Sequence, residues 1–213
     1  MTTKIHTVAV TIAAMLAAGV ASAQVNTVKV GVSRYTTHSE TNGISGIGVP
    51  PGADAETGDS TTMIVAYERL VNPNVGVELV IGIPPKIKAR ATGTVAFLGD
   101  DVLSARSVSP TLFVNYHFGA EGDTWRPYLG AGVNYTKFTD IESRLAPDVE
   151  MGDSTGWAVQ AGIDYTINKQ WGAFASVAAV KVKSKLVAAG STVLQTTIDF
   201  RPVIYTVGLA YRF

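Results

Sequence analysis

Cysteine is absent from this chain of 213 residues. That excludes disulfides, thiolate metal sites and a cysteine nucleophile, and leaves the compartment open. Charge is sparse: 16% of residues are Asp, Glu, Lys or Arg, well below the roughly 25% of an average soluble protein. The formal net charge is zero and the sequence pI about 6.8. No basic excess is present to grip nucleic acid, and no acidic tail. Long apolar runs are also missing past the first 23 residues, so any further membrane crossing is made by strands, not helices.

What is present starts at the N-terminus. "MTTKIHTVAVTIAAMLAAGVASA" carries Lys4, an apolar stretch from Val8 to Val20, and Ala21-Ser22-Ala23. This is the order of a secretory signal with a small-x-small cleavage site. The stretch is shorter than the ~20 residues of a comfortable spanning helix. The expectation is a signal peptide over residues 1–23 and a mature domain over residues 24–213, the alternative being an uncleaved anchor.

Period-two alternation then recurs eight times along the chain. Val28, Val30 and Val32 alternate with Lys29, Gly31 and Ser33; Met63, Val65 and Tyr67 with Ile64, Ala66 and Glu68. Val75 to Ile83, Val108 to Phe118, Pro127 to Tyr135 and Trp157 to Ile167 repeat the pattern, as does the closing "VIYTVGLAYRF". In the seventh segment, "WGAFASVAAVKVKSK", the reading puts Phe174, Ala178, Val180 and Val182 on the apolar outer face and Lys181, Lys183 and Lys185 on the other.

The connections alternate in length. Those at Asn72–Asn74, Gly119–Trp125 and Asn168–Gln170 are short; Ser39–Gly58, Pro84–Ser104, Thr139–Asp153 and Leu186–Thr197 are long and polar. This predicts an all-β, eight-stranded, antiparallel, up-and-down transmembrane β-barrel with short periplasmic turns and long extracellular loops. A soluble barrel would turn its apolar set inward. Eight strands enclose too little space for Val, Leu, Tyr, Ile and Trp at nearly every position. Glycine, alanine, serine, threonine and isolated charges on the other face suit a narrow lumen. Tyr116, Phe118, Trp125, Trp171, Tyr211 and Phe213 all fall near the short-turn ends, where an interfacial aromatic girdle sits. The last strand must close on the first, because a bare edge is untenable in lipid. Phe213 is read as the terminal aromatic signal for the barrel-insertion machinery.

"NPNVGVELVIGIP", "SPTLFVNYHF", "RPYLGAGVNYTKF" and the ending "GLAYRF" resemble the outer membrane protein W (OmpW) family. The resemblance spans essentially the whole chain. It implies a monomeric barrel in the bacterial outer membrane, with a narrow and largely apolar interior. It also implies passage of small hydrophobic molecules, some members being linked to alkane uptake. Lys86–Asp101 is where that family varies, and no sharp motif falls there.

The inward face divides by height. Lys29, Glu68, Glu78, His117, Arg126, Asp164 and Arg212 fall near the periplasmic ends. They are expected to form a charge-paired plug; solvated lumen charges are the alternative reading. Higher up, Ile64, Val80, Phe113, Phe138 and Ile204, with Gly82 and Gly132, are the expected apolar lumen for a guest. Pro84, Pro85, Pro110, Pro127 and Pro202 mark possible weak points in the wall or plain strand ends.

Catalysis is not expected. Of the histidines, only His38 and His117 lie beyond the signal. Adjacent strand residues point opposite ways, so His38 and Ser39 make a poor nucleophile–base pair. No cofactor, metal site or nucleic-acid partner is expected; the 38–60 loop lacks calcium-ligand spacing. A structural or adhesive role carried by the outer loops is the alternative function.

Overall fold

The computed structural model describes residues 25–36, 39–41, 50–100, 102–143, 148–189 and 193–213. The signal-like segment and His38 lie outside them. In chain order the strands are β1 (Asn26–Thr36), β2 (Ser39–Thr41), β3 (Ala53–Thr57), β4 (Ser60–Leu70), β5 (Val75–Gly82), β6 (Lys86–Gly93), β7 (Leu103–Val108) and β8 (Thr111–His117). They continue as β9 (Trp125–Ser143), β10 (Asp148–Met151), β11 (Ser154–Thr166), β12 (Trp171–Val180), β13 (Val182–Ala189), β14 (Val193–Phe200) and β15 (Val203–Arg212).

Eight of these close a ring: β1–β4–β5–β8–β9–β11–β12–β15 and back to β1, each pair antiparallel. The closing seam runs from Thr27↔Arg212 to Thr36↔Val203. It extends to the terminus, where the backbones of Asn26 and Phe213 exchange two hydrogen bonds of 3.1 and 2.9 Å. No backbone edge is left to lipid along this seam.

The alternation read from the sequence becomes two faces. On β8, Thr111, Phe113, Asn115 and His117 are buried in the lumen while Leu112, Val114 and Tyr116 are exposed. Val30, Val65, Leu129, Val133, Val159 and Val207 are exposed on the outside as well. On β9 the outward row runs from Trp125 to Tyr135. At ~3.3 Å per residue and a strand tilt of about 40°, that row spans roughly the 25 Å apolar band of such barrels. The girdle forms in pairs: Trp125–Tyr165 at 4.5 Å, Trp171–Tyr211 at 5.0 Å and Tyr116–Phe118 at 5.1 Å between ring centroids. Leu129 sits near mid-band and is 54% exposed to the lipid side. Leu129→Arg is expected to lower barrel stability by about 2–4 kcal/mol, measured by urea unfolding from lipid vesicles.

The structure reverses one face assignment. Phe174, Ala178, Val180 and Val182 are buried inside the barrel, whereas Trp171 and Val177 look out and Lys181 is half-buried. On β12 the outer face is built largely of alanine (Ala173, Ala175 and Ala179), so bulk does not mark the lipid side there. The long connections also differ from irregular loops. β3, β6 and β7 extend the wall outward beside the upper part of β9, while β10, β13, β14 and β2 form a separate four-stranded sheet. Paired strands satisfy the backbone groups of these long segments without a larger core.

Small and large residues interlock inside. Phe174 lies over the paired glycines Gly31 and Gly208, and Tyr128 over Gly162. A Cβ on Gly31 would meet the Phe174 ring at 3.1 Å, and one on Gly162 would meet the Tyr128 hydroxyl at 2.5 Å. Inward glycines on one strand thus make room for a ring from another, which lets a lumen this narrow hold aromatics.

Candidate functional site

Lys29 is the centre of the lower lumen. It is 1% exposed, on β1 where the register places it between Ala66 and Ala210, two small neighbours that leave it room. Its Nζ lies 2.9 Å from Glu68 Oε2, 3.1 Å from Glu78 Oε1 and 3.6 Å from Asp164 Oδ1. The ammonium also stands 4.9 Å from the Tyr128 ring centre and 5.5 Å from that of Phe174. A buried ammonium persists only with such compensation.

Polar neighbours complete the layer. His117 Nε2 is 2.7 Å from Glu68 Oε1, and its Nδ1 is 3.4 Å from Asp164 Oδ2. Asn115 Nδ2 donates to Glu68 Oε1 and Glu78 Oε2, both at 2.9 Å. Gln160 Nε2 donates to Glu78 Oε2 and to Asn115 Oδ1 at 2.7 Å. Asn115 is fully buried, and Glu68 and Glu78 are each 3% exposed. Side chains from β1, β4, β5, β8, β9, β11 and β12 therefore meet across one cross-section.

Of the residues expected in a plug, the structure brings together Lys29, Glu68, Glu78, His117 and Asp164. It sets Arg126 and Arg212 apart from them. Arg126 donates through Nη2 to the Pro73 carbonyl, and Arg212 through Nη1 to Thr166 Oγ1 at 3.0 Å. Both lie on the periplasmic side of the layer, in a vestibule of about 570 Å³ whose inner end is formed by Lys29, Glu68, His117 and Asp164. Asn115, Tyr128 and Gln160 were missed as members of the layer. Their inward parity was legible; their reach to particular carboxylates was not.

Above this floor is a cavity of about 80 Å³. Ile64, Val80, Phe113 and Ile204 line it as expected, together with Gly82 and the unexpected Phe174, Ala178 and Val180. Phe138 does not touch this cavity; it packs beyond it with Phe113, Ala105, Val180 and Val182. Gly132 lies against the Phe113 ring and does not line this cavity.

The wall beside the cavity has an interrupted ladder. β5 and β8 pair up to Val80↔Thr111, and pairing resumes only at Lys86↔Arg106 between β6 and β7. Pro84, Pro85 and Pro110 fall in the intervening stretch and bring no N–H. Each side is anchored away from the break. Ile83 N donates to the Met63 carbonyl at 2.8 Å, and Tyr135 N to the Pro110 carbonyl at 3.0 Å. A 3.4 Å hydrogen bond from Arg106 Nη1 to the Pro84 carbonyl spans it. Pro127 and Pro202 cause no comparable break: their carbonyls accept from Phe118 and Val180.

A closed eight-stranded barrel, apolar outside, girdled with aromatics and sealed by the pairing of β1 with β15, is an outer-membrane β-barrel protein, and the bacterial outer membrane is its location. The chain belongs to the OmpW family, whose model matches residues 23–213. It is similar to Outer membrane protein W of Escherichia coli, 31% identical over 165 residues that cover 73% of this chain and 74% of that one. The Dibenzothiophene metabolism operon protein PahQ of Pseudomonas aeruginosa is 29% identical over 171 residues, 76% of each chain. In fold it resembles the outer membrane protein OprG of Pseudomonas aeruginosa, with a TM-score of 0.82 and 24% identity over 90% of this chain and 96% of that one.

Proposed function

We propose that this barrel takes up small hydrophobic molecules from outside the cell and, rather than passing them axially, releases them sideways into the outer membrane. The carrying observation is an apolar cavity stacked on a closed ionic floor and bordered by a break in the wall. An apolar guest gains roughly 25 cal/mol for each Å² it buries in the cavity. Going further down means crossing a layer of buried charges, which costs far more than leaving through a wall gap lined by Val80, Gly82 and Thr111. The name of the PahQ relative, tied to metabolism of a fused-ring apolar compound, favours the same substrate class. On this reading the chain works as a non-catalytic monomer, inserted by the machinery that reads Phe213, and Lys29, Glu68, Glu78, His117 and Asp164 act as its plug.

The paired substitution Val80→Asp and Phe113→Asp is expected to cut entry of an apolar fluorescent probe into cells at least several-fold while the folded protein is still present in the outer membrane. Unchanged entry rejects the cavity as the route. Lateral exit has its own test. Since the chain has no cysteine, Gly82→Cys with Ser109→Cys creates a single pair across the break. Oxidation is expected to suppress probe entry, and reduction to restore it. Entry indifferent to the cross-link refutes the sideways path.

A further inference from the structure

We propose that the periplasm-facing vestibule is a binding site for a small carboxylate bearing a short apolar tail. This does not rest on the uptake reading, since the site lies on the far side of the floor.

One cross-strand couple at the vestibule's inner end does not pair. Arg126 on β9 and Asp164 on β11 are directly opposite in register and both turn inward, the arrangement in which opposite charges ordinarily join. Here Asp164 is directed to Lys29 and His117. Glu68 and Glu78 are held by the same Lys29. Arg126 is left 7% exposed, bonded through Nη2 to the Pro73 carbonyl, with its Nε buried and without a partner.

A second arginine, Arg212, lines the same 570 Å³ space, and Lys169 stands at its rim. Among the described residues none of these three cations forms an ion pair. Glu121 is the one lining carboxylate side chain that neither Lys29 nor His117 engages. The rest of the lining includes Val25, Leu70 and Ala210. The volume falls within the roughly 300–1,000 Å³ of small-ligand sites.

A buried guanidinium with an idle N–H is a costly group to leave unsatisfied. Its planar fork matches a carboxylate better than a point charge would. The apolar lining offers a place for two or three methylenes. The competing explanation is that the arginines only offset, at a distance, the negative charge that Lys29 leaves uncompensated in the floor.

Titration of the whole mature barrel in lipid nanodiscs separates the two. The readout is the side-chain Nε–Hε resonances of Arg126 and Arg212, with butyrate, butyramide and sulfate as probes at constant ionic strength. Saturable butyrate shifts at Arg126, with none from butyramide, are the expected result. Arg126→Gln or Arg212→Gln is then expected to weaken butyrate binding at least tenfold. Silent resonances overturn the site. Sulfate binding as tightly as butyrate overturns the assignment to a tailed carboxylate. The wild-type titration decides the matter even if the Arg126 variant fails to assemble, and neither result depends on apolar-probe uptake.

Discussion

Lys29→Met is expected to lower the stability of the folded barrel by about 3–5 kcal/mol, the range for removing one partner of a buried ion group. The reason is geometric. Glu68, Glu78 and Asp164 all lie within 3.6 Å of the same Nζ. Without it, buried carboxylates face one another with no cation at their centre: Asn115 and Gln160 supply donors but no charge, and Arg126 is turned to the Pro73 carbonyl. Urea unfolding from vesicles gives the number. Adding Glu78→Gln to Lys29→Met is expected to recover part of the loss, because a neutral amide keeps the shape and removes one repelling charge. A midpoint indifferent to Lys29→Met, or a double variant worse than the single one by the full additive amount, sinks this account of the floor.

The second large effect comes from a residue with no side chain. Gly208→Ala adds one methyl group. That Cβ would stand 2.6 Å from Gly31 Cα and 2.7 Å from Phe174 Cε1, and would strike the Val30 carbonyl oxygen. A ring can shift, but the other atoms belong to the backbone of the closing seam. The expected penalty is at the upper end of overpacking, roughly 3 kcal/mol or more. It should appear as loss of the fast-migrating folded band on unheated gels. Phe174→Ala in the same background is expected to give little relief, since the backbone collision remains. Normal folding of Gly208→Ala would show that the seam has more play than these distances allow.

Both effects bear on what the sequence discloses. The eight barrel strands, most of their outward faces and their closure are legible because alternation and turn spacing are local properties of the chain, and Val65, Leu112 and Leu129 lie on the outside as expected; the strands within the long connections are not. β12 departs from that pattern because bulk does not mark its lipid side. With Gly31 and Gly208 opposite, the lumen accepts Phe174, and the outer surface makes do with alanine. That exchange depends on strands far apart in the chain. The ionic floor was legible as a set of inward charges at one height. The split within it was not: Asp164 prefers Lys29 and His117 over its own cross-strand neighbour Arg126. Parity gives a direction; only the assembled lumen decides which charges meet. The wall break was half visible, as prolines, and the pairing around them singles out Pro84, Pro85 and Pro110 from Pro127 and Pro202.

The clasp between Asn26 and Phe213 has a consequence for the life of the molecule before it functions. β1 leaves the ribosome well before β15, the strand that must close on it. During export the chain has a sticky open flank and no means of sealing it. Closure is therefore bound to be a late event in which the polypeptide must be kept apart from its neighbours until β15 arrives. Removing Phe213 and its neighbours in β15 should trap it in transit rather than yield a slightly shorter barrel.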